Sequence, residues 1–140
     1  MKHVHPSRLL KAALAADAVV SAAVALLQIV AAGALAEWLA LPRGLLFETG
    51  LFLVGYTLLL VMLARSARVP AWLVGFIVVG NVGWAIGCVA LPAAGWVTPN
   101  AAGMAYLALQ AVAVLAFAVL EFAGLRVSAP AGHAGTAAAR

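Results

Sequence analysis

The chain has 140 residues, 67% of them hydrophobic and only 9% charged, with a formal net charge of +4. Soluble domains carry roughly a quarter of their residues as charges, so this composition excludes a water-soluble globular domain and names lipid as the solvent. A single cysteine excludes internal disulfide exchange, and basic residues gathered at segment ends, without interleaved aromatics, exclude a nucleic-acid surface.

At about 20 apolar residues per span, four spans nearly exhaust the chain. The first apolar run extends from about Leu9 to Leu41, the second from Leu45 to Ala64, the third from Ala71 to Leu91 and the fourth from Ala101 to Ala123. Pro42, Pro70, Pro92 and Pro99 fall at the joints, where a residue without an amide donor starts or stops a helix. The predicted fold class is therefore all-α: a polytopic membrane protein whose four transmembrane helices run up-down-up-down. Residues 1–127 form one domain, and the small, polar stretch 128–140 reads as a disordered tail.

Lys2, Arg8 and Lys11 ahead of an apolar run ending in Ala34-Leu35-Ala36 look like a secretory signal with a small-residue cleavage site. Asp17 and Gln28 interrupt that run, which favours a retained span. With four spans, Lys2, Arg8, Lys11, Arg65, Arg68, Arg126 and Arg140 share one side and Arg43 lies alone on the other. The positive-inside rule then predicts an inner-membrane, multi-pass protein with both termini in the cytoplasm. Trp38 and Trp96 are placed to anchor the outer interface, and Trp72 the inner one.

The halves of the chain read as two related hairpins. Leu41-Pro42 recurs as Leu91-Pro92, Gly33 matches Gly83, Tyr56 matches Tyr106, and each half ends near an Arg-Val pair, Arg68-Val69 and Arg126-Val127. Such hairpins would be related by an axis along the membrane normal.

Asp17 carries the strongest functional signal. A carboxylate well inside a span costs about 2.5 to 3.5 kcal/mol on insertion scales, so it should face the bundle interior and have a partner or a purpose. Helical spacing puts Ser21 and Gln28 on the Asp17 stripe of the first run, Asn81, Trp84 and Cys88 together on the third, and Tyr106, Gln110, Phe117 and Glu121 together on the fourth. Measured from the inner ends, Asp17, Tyr56, Thr57 and Asn81 fall at similar depth, whereas Gln110, Tyr106 and Gln28 belong to a second polar layer further out. The candidate ligand-binding set is Asp17, Ser21, Tyr56, Thr57, Asn81, Trp84, Tyr106 and Gln110. Gly83 and Gly87 form a G-x-x-x-G pair with Gly80 a turn earlier, and this face is predicted to make the closest helix-helix contact.

Glu37, Arg43 and Glu48 read as solvated interfacial residues, and Glu121 as the acidic member of a surface ion pair with Arg126 or Arg65. His3, His5 and His133 lie in the tails, so no span offers a histidine for haem or metal, and a lone carboxylate is a poor metal cage. No cofactor, metal site or catalytic constellation is expected.

The pattern of Asp17 with Ser21, Leu41-Pro42, Gly80-Asn81 with Trp84-Ala85, and Gln110 leading to Glu121 and Gly124-Leu125-Arg126 resembles a group of small bacterial four-helix integral membrane proteins. That resemblance implies an architecture and no activity. The arrangement is also similar to small multidrug resistance transporters, which exchange protons for cationic substrates on an acidic residue of the first helix. Asp17 would take that role, with Asp where that family has Glu.

Two functional readings follow. The first is a structural or accessory subunit, in a homo-oligomer or beside a membrane-protein partner, packing through the Gly83 and Gly87 face. The alternative is a small proton-coupled carrier or lipophilic-ligand binder in which Asp17 is the protonatable group and the ligand is small and lipophilic or cationic. A cavity at Asp17 would separate them.

Overall fold

The Ser7 side chain opens the first long helix and ties it to the last. Its hydroxyl accepts from Leu10 N at 3.1 Å, a helix-start cap, and donates to Gly124 O at 2.8 Å. In this computed structural model, which describes residues 3–131, the elements run β1 (His3–His5), α1 (Arg8–Val30), α2 (Ala32–Leu39), α3 (Arg43–Arg65), β2 (Val69–Pro70), α4 (Ala71–Ala93), α5 (Ala101–Arg126) and β3 (Ala129–Pro130).

The first apolar run is two helices instead of one. Ala31 leaves helical geometry at φ −109° and ψ 21°, yet Ala31 N still donates to Leu27 O and Leu35 N to Ala31 O, both at 2.9 Å. The break is shallow, and α2 continues the general course of the run. It ends on Ala40 at φ 53°, a left-handed conformation costing a residue with a Cβ about 1 to 2 kcal/mol. Leu41 N then donates back to Ala36 O at 3.2 Å, and Pro42 begins α3. Pro92 does not stop α4, which includes it in the last turn.

Four helices, α1, α3, α4 and α5, are long and apolar enough to cross a membrane. The protein is a multi-pass membrane four-helix bundle. Large apolar side chains such as Val19, Leu26, Phe76, Ile86 and Val119 are exposed, as a lipid-facing exterior requires. The helices pack in the order α3, α1, α5, α4, with α2 reaching α3 and α5. Although consecutive, α3 and α4 approach less closely in their backbones than the other neighbours and meet through side chains, with Phe52 stacked on Trp84 and Leu60 and Ile77 in one buried cluster.

The first and last described segments meet at one end of the bundle, called here the terminal end. There β1 is the centre of a small antiparallel sheet, with Val4 opposite Val69 of β2 and opposite Pro130 of β3. This corrects the expected disordered tail over 128–131. Ser128 donates to Gly124 O at 2.7 Å and accepts from Ser7 N at 3.0 Å, and Ala131 N donates to His3 O at 2.8 Å. The remainder of the expected tail, 132–140 with His133, lies outside the described residues.

Two dry clusters hold the ends of the bundle. Leu10, Leu14, Leu60, Val69, Val74 and Ile77 fill the terminal end, and Leu35, Leu39, Leu46, Ala85, Leu107 and Ala111 the distal end. The closest backbone approaches are not where the G-x-x-x-G pair predicts them. A Cβ added at Gly80, Gly83 or Gly87 would meet nothing within 4 Å, so these glycines border open space. The true close approaches are at Gly124, where a Cβ would lie 2.7 Å from Leu10 Cα and N, and at Gly103, where it would run into Leu39 O. Asn100 reinforces the second: it caps α5 through Gly103 N at 2.9 Å and donates from Nδ2 to Trp38 O at 2.8 Å. Thus α5 is pinned to the first segment at both ends.

Candidate functional site

Between the two dry clusters lies a buried polar layer. Asp17 is 1% exposed and Glu121 0%. Asp17 Oδ1 accepts from Ser21 Oγ at 2.9 Å, one helical turn along α1. Its Oδ2 accepts from Asn81 Nδ2 of α4 at 3.2 Å and lies 3.0 Å from the Tyr56 hydroxyl of α3. That hydroxyl is also 3.0 Å from Asn81 Oδ1, so its single proton serves one of two acceptors. Asn81 Nδ2 donates a second bond, at 3.2 Å, to Glu121 Oε2 of α5. One carboxamide therefore joins all four spans into a single network.

The structure brings together Asp17, Ser21, Tyr56 and Asn81 as expected from their depth. It adds Glu121, which is not in a surface ion pair with Arg126 or Arg65 but wholly buried, its Oε1 without a hydrogen-bond partner. The signal was available: Glu121 is one turn beyond Phe117 on the same face as Gln110. Its position near the end of the fourth run made snorkelling look open to it. Gly124 closes that route by drawing α5 onto the backbone of α1 one turn further along. Thr57 does not join the cluster: its Oγ1 is buried without a partner.

Trp84, Gln110 and Tyr106 are placed further toward the distal end. Trp84 Nε1 of α4 donates to Gln110 Oε1 of α5 at 3.0 Å, and the Phe52 ring of α3 stacks on the Trp84 indole at a centroid distance of 6.0 Å. Tyr106 and Gln28 line the same cavity as Gln110 but bond to each other and not to it. The Tyr106 hydroxyl accepts from Gln28 Nε2 at 2.9 Å, while Gln28 Oε1 lies 3.1 Å from the Thr49 hydroxyl, a residue that sequence reasoning passed over.

These groups border two cavities. One of about 150 Å³ is lined by Asp17, Ser21, Tyr56 and Asn81 at its polar end and by Phe76, Phe117 and Gly80 elsewhere. A second, of about 380 Å³, is lined by Gln28, Thr49, Tyr106, Gly83 and Gly87. Phe52, Trp84 and Gln110 line both, so the Trp84–Gln110 bond is a crossbar between two chambers of one cleft. Phe52 of α3 and Phe76 of α4 both line the first cavity and are 61% and 63% exposed, so the cavity reaches the bundle surface beside them.

The chemistry of the polar end is one-sided. It holds two carboxyl groups met only by neutral donors, and no Lys, Arg or His bonds to either among the described residues. The basic residues Arg8, Lys11, Arg43, Arg65, Arg68 and Arg126 sit at or beyond helix ends. No group of three or more His, Cys, Asp or Glu side chains suited to a metal ion occurs among the described residues. No protein-family model, curated protein or solved structure matches the chain.

Proposed function

We propose that this membrane protein binds a lipophilic molecule taken laterally from the bilayer. The molecule's hydrogen-bond-donating head enters between α3 and α4 and reaches Asp17, while its apolar part lies along Phe52, Phe76 and Phe117. The observation that carries this reading is the cavity beside a buried carboxyl, lined by the exposed rings of Phe52 on α3 and Phe76 on α4. A purely structural role gives no reason for Asp17 to border a void, since a hydrogen bond between helices contributes on average about 0.6 kcal/mol and needs no ionisable group. Mostly apolar walls with a few convergent polar groups are the usual form of a small-molecule site.

The accessory-subunit reading keeps one support. Gly80 and Gly83 are exposed and would admit a partner helix that this chain does not itself supply. In either case we place the termini in the cytoplasm of the inner membrane, supported by Arg8, Lys11, Arg65, Arg68 and Arg126 at the terminal end against Arg43 at the other.

The test uses a fluorescent long-chain amine titrated into the protein in lipid nanodiscs. Gly80→Leu plugs the cavity from a position where added atoms meet no backbone, and should abolish saturable binding. Asp17→Asn should weaken it on the order of tenfold, the loss of one charge-assisted hydrogen bond. Equal binding by wild type and Gly80→Leu would remove the cavity from consideration.

A further inference from the structure

Asp17 and Glu121 are held by the same amide nitrogen but are served unequally. Asp17 accepts from Ser21 and Asn81 and shares the Tyr56 proton. Glu121 accepts only from Asn81, through Oε2. Its Oε1 is buried with no partner, and the residue is 0% exposed. From the neighbouring elements, the titratable side chains facing this pair are Tyr56 on α3 and no basic group; α4 contributes the Asn81 amide alone.

We infer that the protein stores a proton at this point: Glu121 is a carboxylic acid, Asp17 is the carboxylate, and Asn81 holds the two together beyond the floor of the cavity. Burying an ion costs several kcal/mol even after relaxation, and two like charges sharing one donor add their repulsion to that penalty. Hydrogen-bond accounting decides which group is neutral. The carboxylate belongs where donors converge, at Asp17. Protonating Glu121 removes the anionic charge from a buried carboxyl with an unserved oxygen, while its Oε2 can still accept from Asn81 Nδ2, as observed. The inverse assignment would strand a carboxylate oxygen in a dry site while three donors surrounded an acid. Phe117, one turn before Glu121 on α5, lines the cavity, so the stored proton lies one helical turn from the space assigned to the ligand. The inference concerns the empty protein and holds whether or not a ligand binds.

Infrared spectroscopy of the full chain in nanodiscs, near neutral pH and without added ligand, tests it. Asp17 is the only aspartate in the sequence, so isotopic labelling of aspartate reports on it alone without any substitution. The expected result is a protonated-carboxyl C=O stretch that moves on glutamate labelling, stays fixed on aspartate labelling, disappears in Glu121→Gln and persists in a Glu37→Gln, Glu48→Gln double variant. No such band, or a band that moves with aspartate labelling, overturns the assignment. Labelled wild-type protein decides the matter even if Glu121→Gln folds poorly.

Discussion

Asp17 of α1 and Glu121 of α5 accept from one nitrogen, Asn81 Nδ2, at 3.2 Å each. The amide is thus the only direct hydrogen-bond link from α4 to either carboxyl.

Asn81→Ala should therefore destabilise the protein by about 2 kcal/mol, the usual size of a lost hydrogen bond to a charged group. Thermal unfolding in a mild detergent measures it. The loss should be smaller by about 1 kcal/mol when Glu121 is already Ala, because part of the Asn81 contribution runs through that partner. Strictly additive losses would mean that the two side chains do not act as a unit.

Glycine positions separate real close contacts from apparent ones. Gly124→Ala puts a methyl 2.7 Å from the Leu10 backbone, which cannot yield as a flexible side chain would. It should cost about 1 to 3 kcal/mol. Gly83→Ala meets nothing within the chain and should be neutral or gain up to about 1 kcal/mol of helix propensity. If the accessory reading holds and a partner helix sits on Gly83, Gly83→Ile should dissociate the assembly while the monomer keeps its unfolding temperature. Size-exclusion profiles of the two variants decide it.

Most of the bundle was readable from residue spacing. Apolar runs of sufficient length and prolines at the joints located the spans, because lipid obliges each span to satisfy its own backbone. The Asp17, Ser21, Tyr56 and Asn81 group followed from depth and helical face. What spacing could not show was which faces meet. Gly83 and Gly87 carry the pattern associated with close packing, yet Gly103 and Gly124, with no pattern around them, take the contacts, since these are fixed by where α5 crosses the first segment. The same crossing buried Glu121 instead of letting it reach solvent. Thr57 failed for a related reason: neighbouring residues on a helix point about 100° apart, so sharing depth with Tyr56 did not give it the same neighbours. Residues 129–130 depart from the expected tail because β1 supplies them with a strand partner from the far end of the chain.

That strand makes a prediction of its own. β1 holds the α3–α4 connection through Val69 and Pro70, and His5 Nδ1 lies 3.2 Å from Ala67 O. Deleting residues 1–5 should leave the four spans intact, since Ser7 still caps α1. It should loosen the backbone around Arg65 and Arg68, whose side chains are already exposed, so that trypsin cleaves there at least several-fold faster than in the full chain, read by gel over a time course. Unaltered cleavage would mean that the connection holds its shape without the sheet.

The crossbar bears most directly on ligand choice. Trp84 and Gln110 divide a cleft into chambers of about 150 and 380 Å³, with Phe52 stacked on the indole. Trp84→Ala removes the partition and leaves Gln110 Oε1 without its donor. A molecule whose head reaches Asp17 would then extend its chain past the former crossbar toward Gln28 and Tyr106. Competition between short- and long-chain amines against a fluorescent amine should shift toward the longer chain by on the order of tenfold, the contribution of about two newly buried methylene groups. Trp84→Phe, which keeps the bulk but not the indole N–H, should shift it far less. Equal shifts in the two variants would assign the effect to the lost hydrogen bond and not to the opened space.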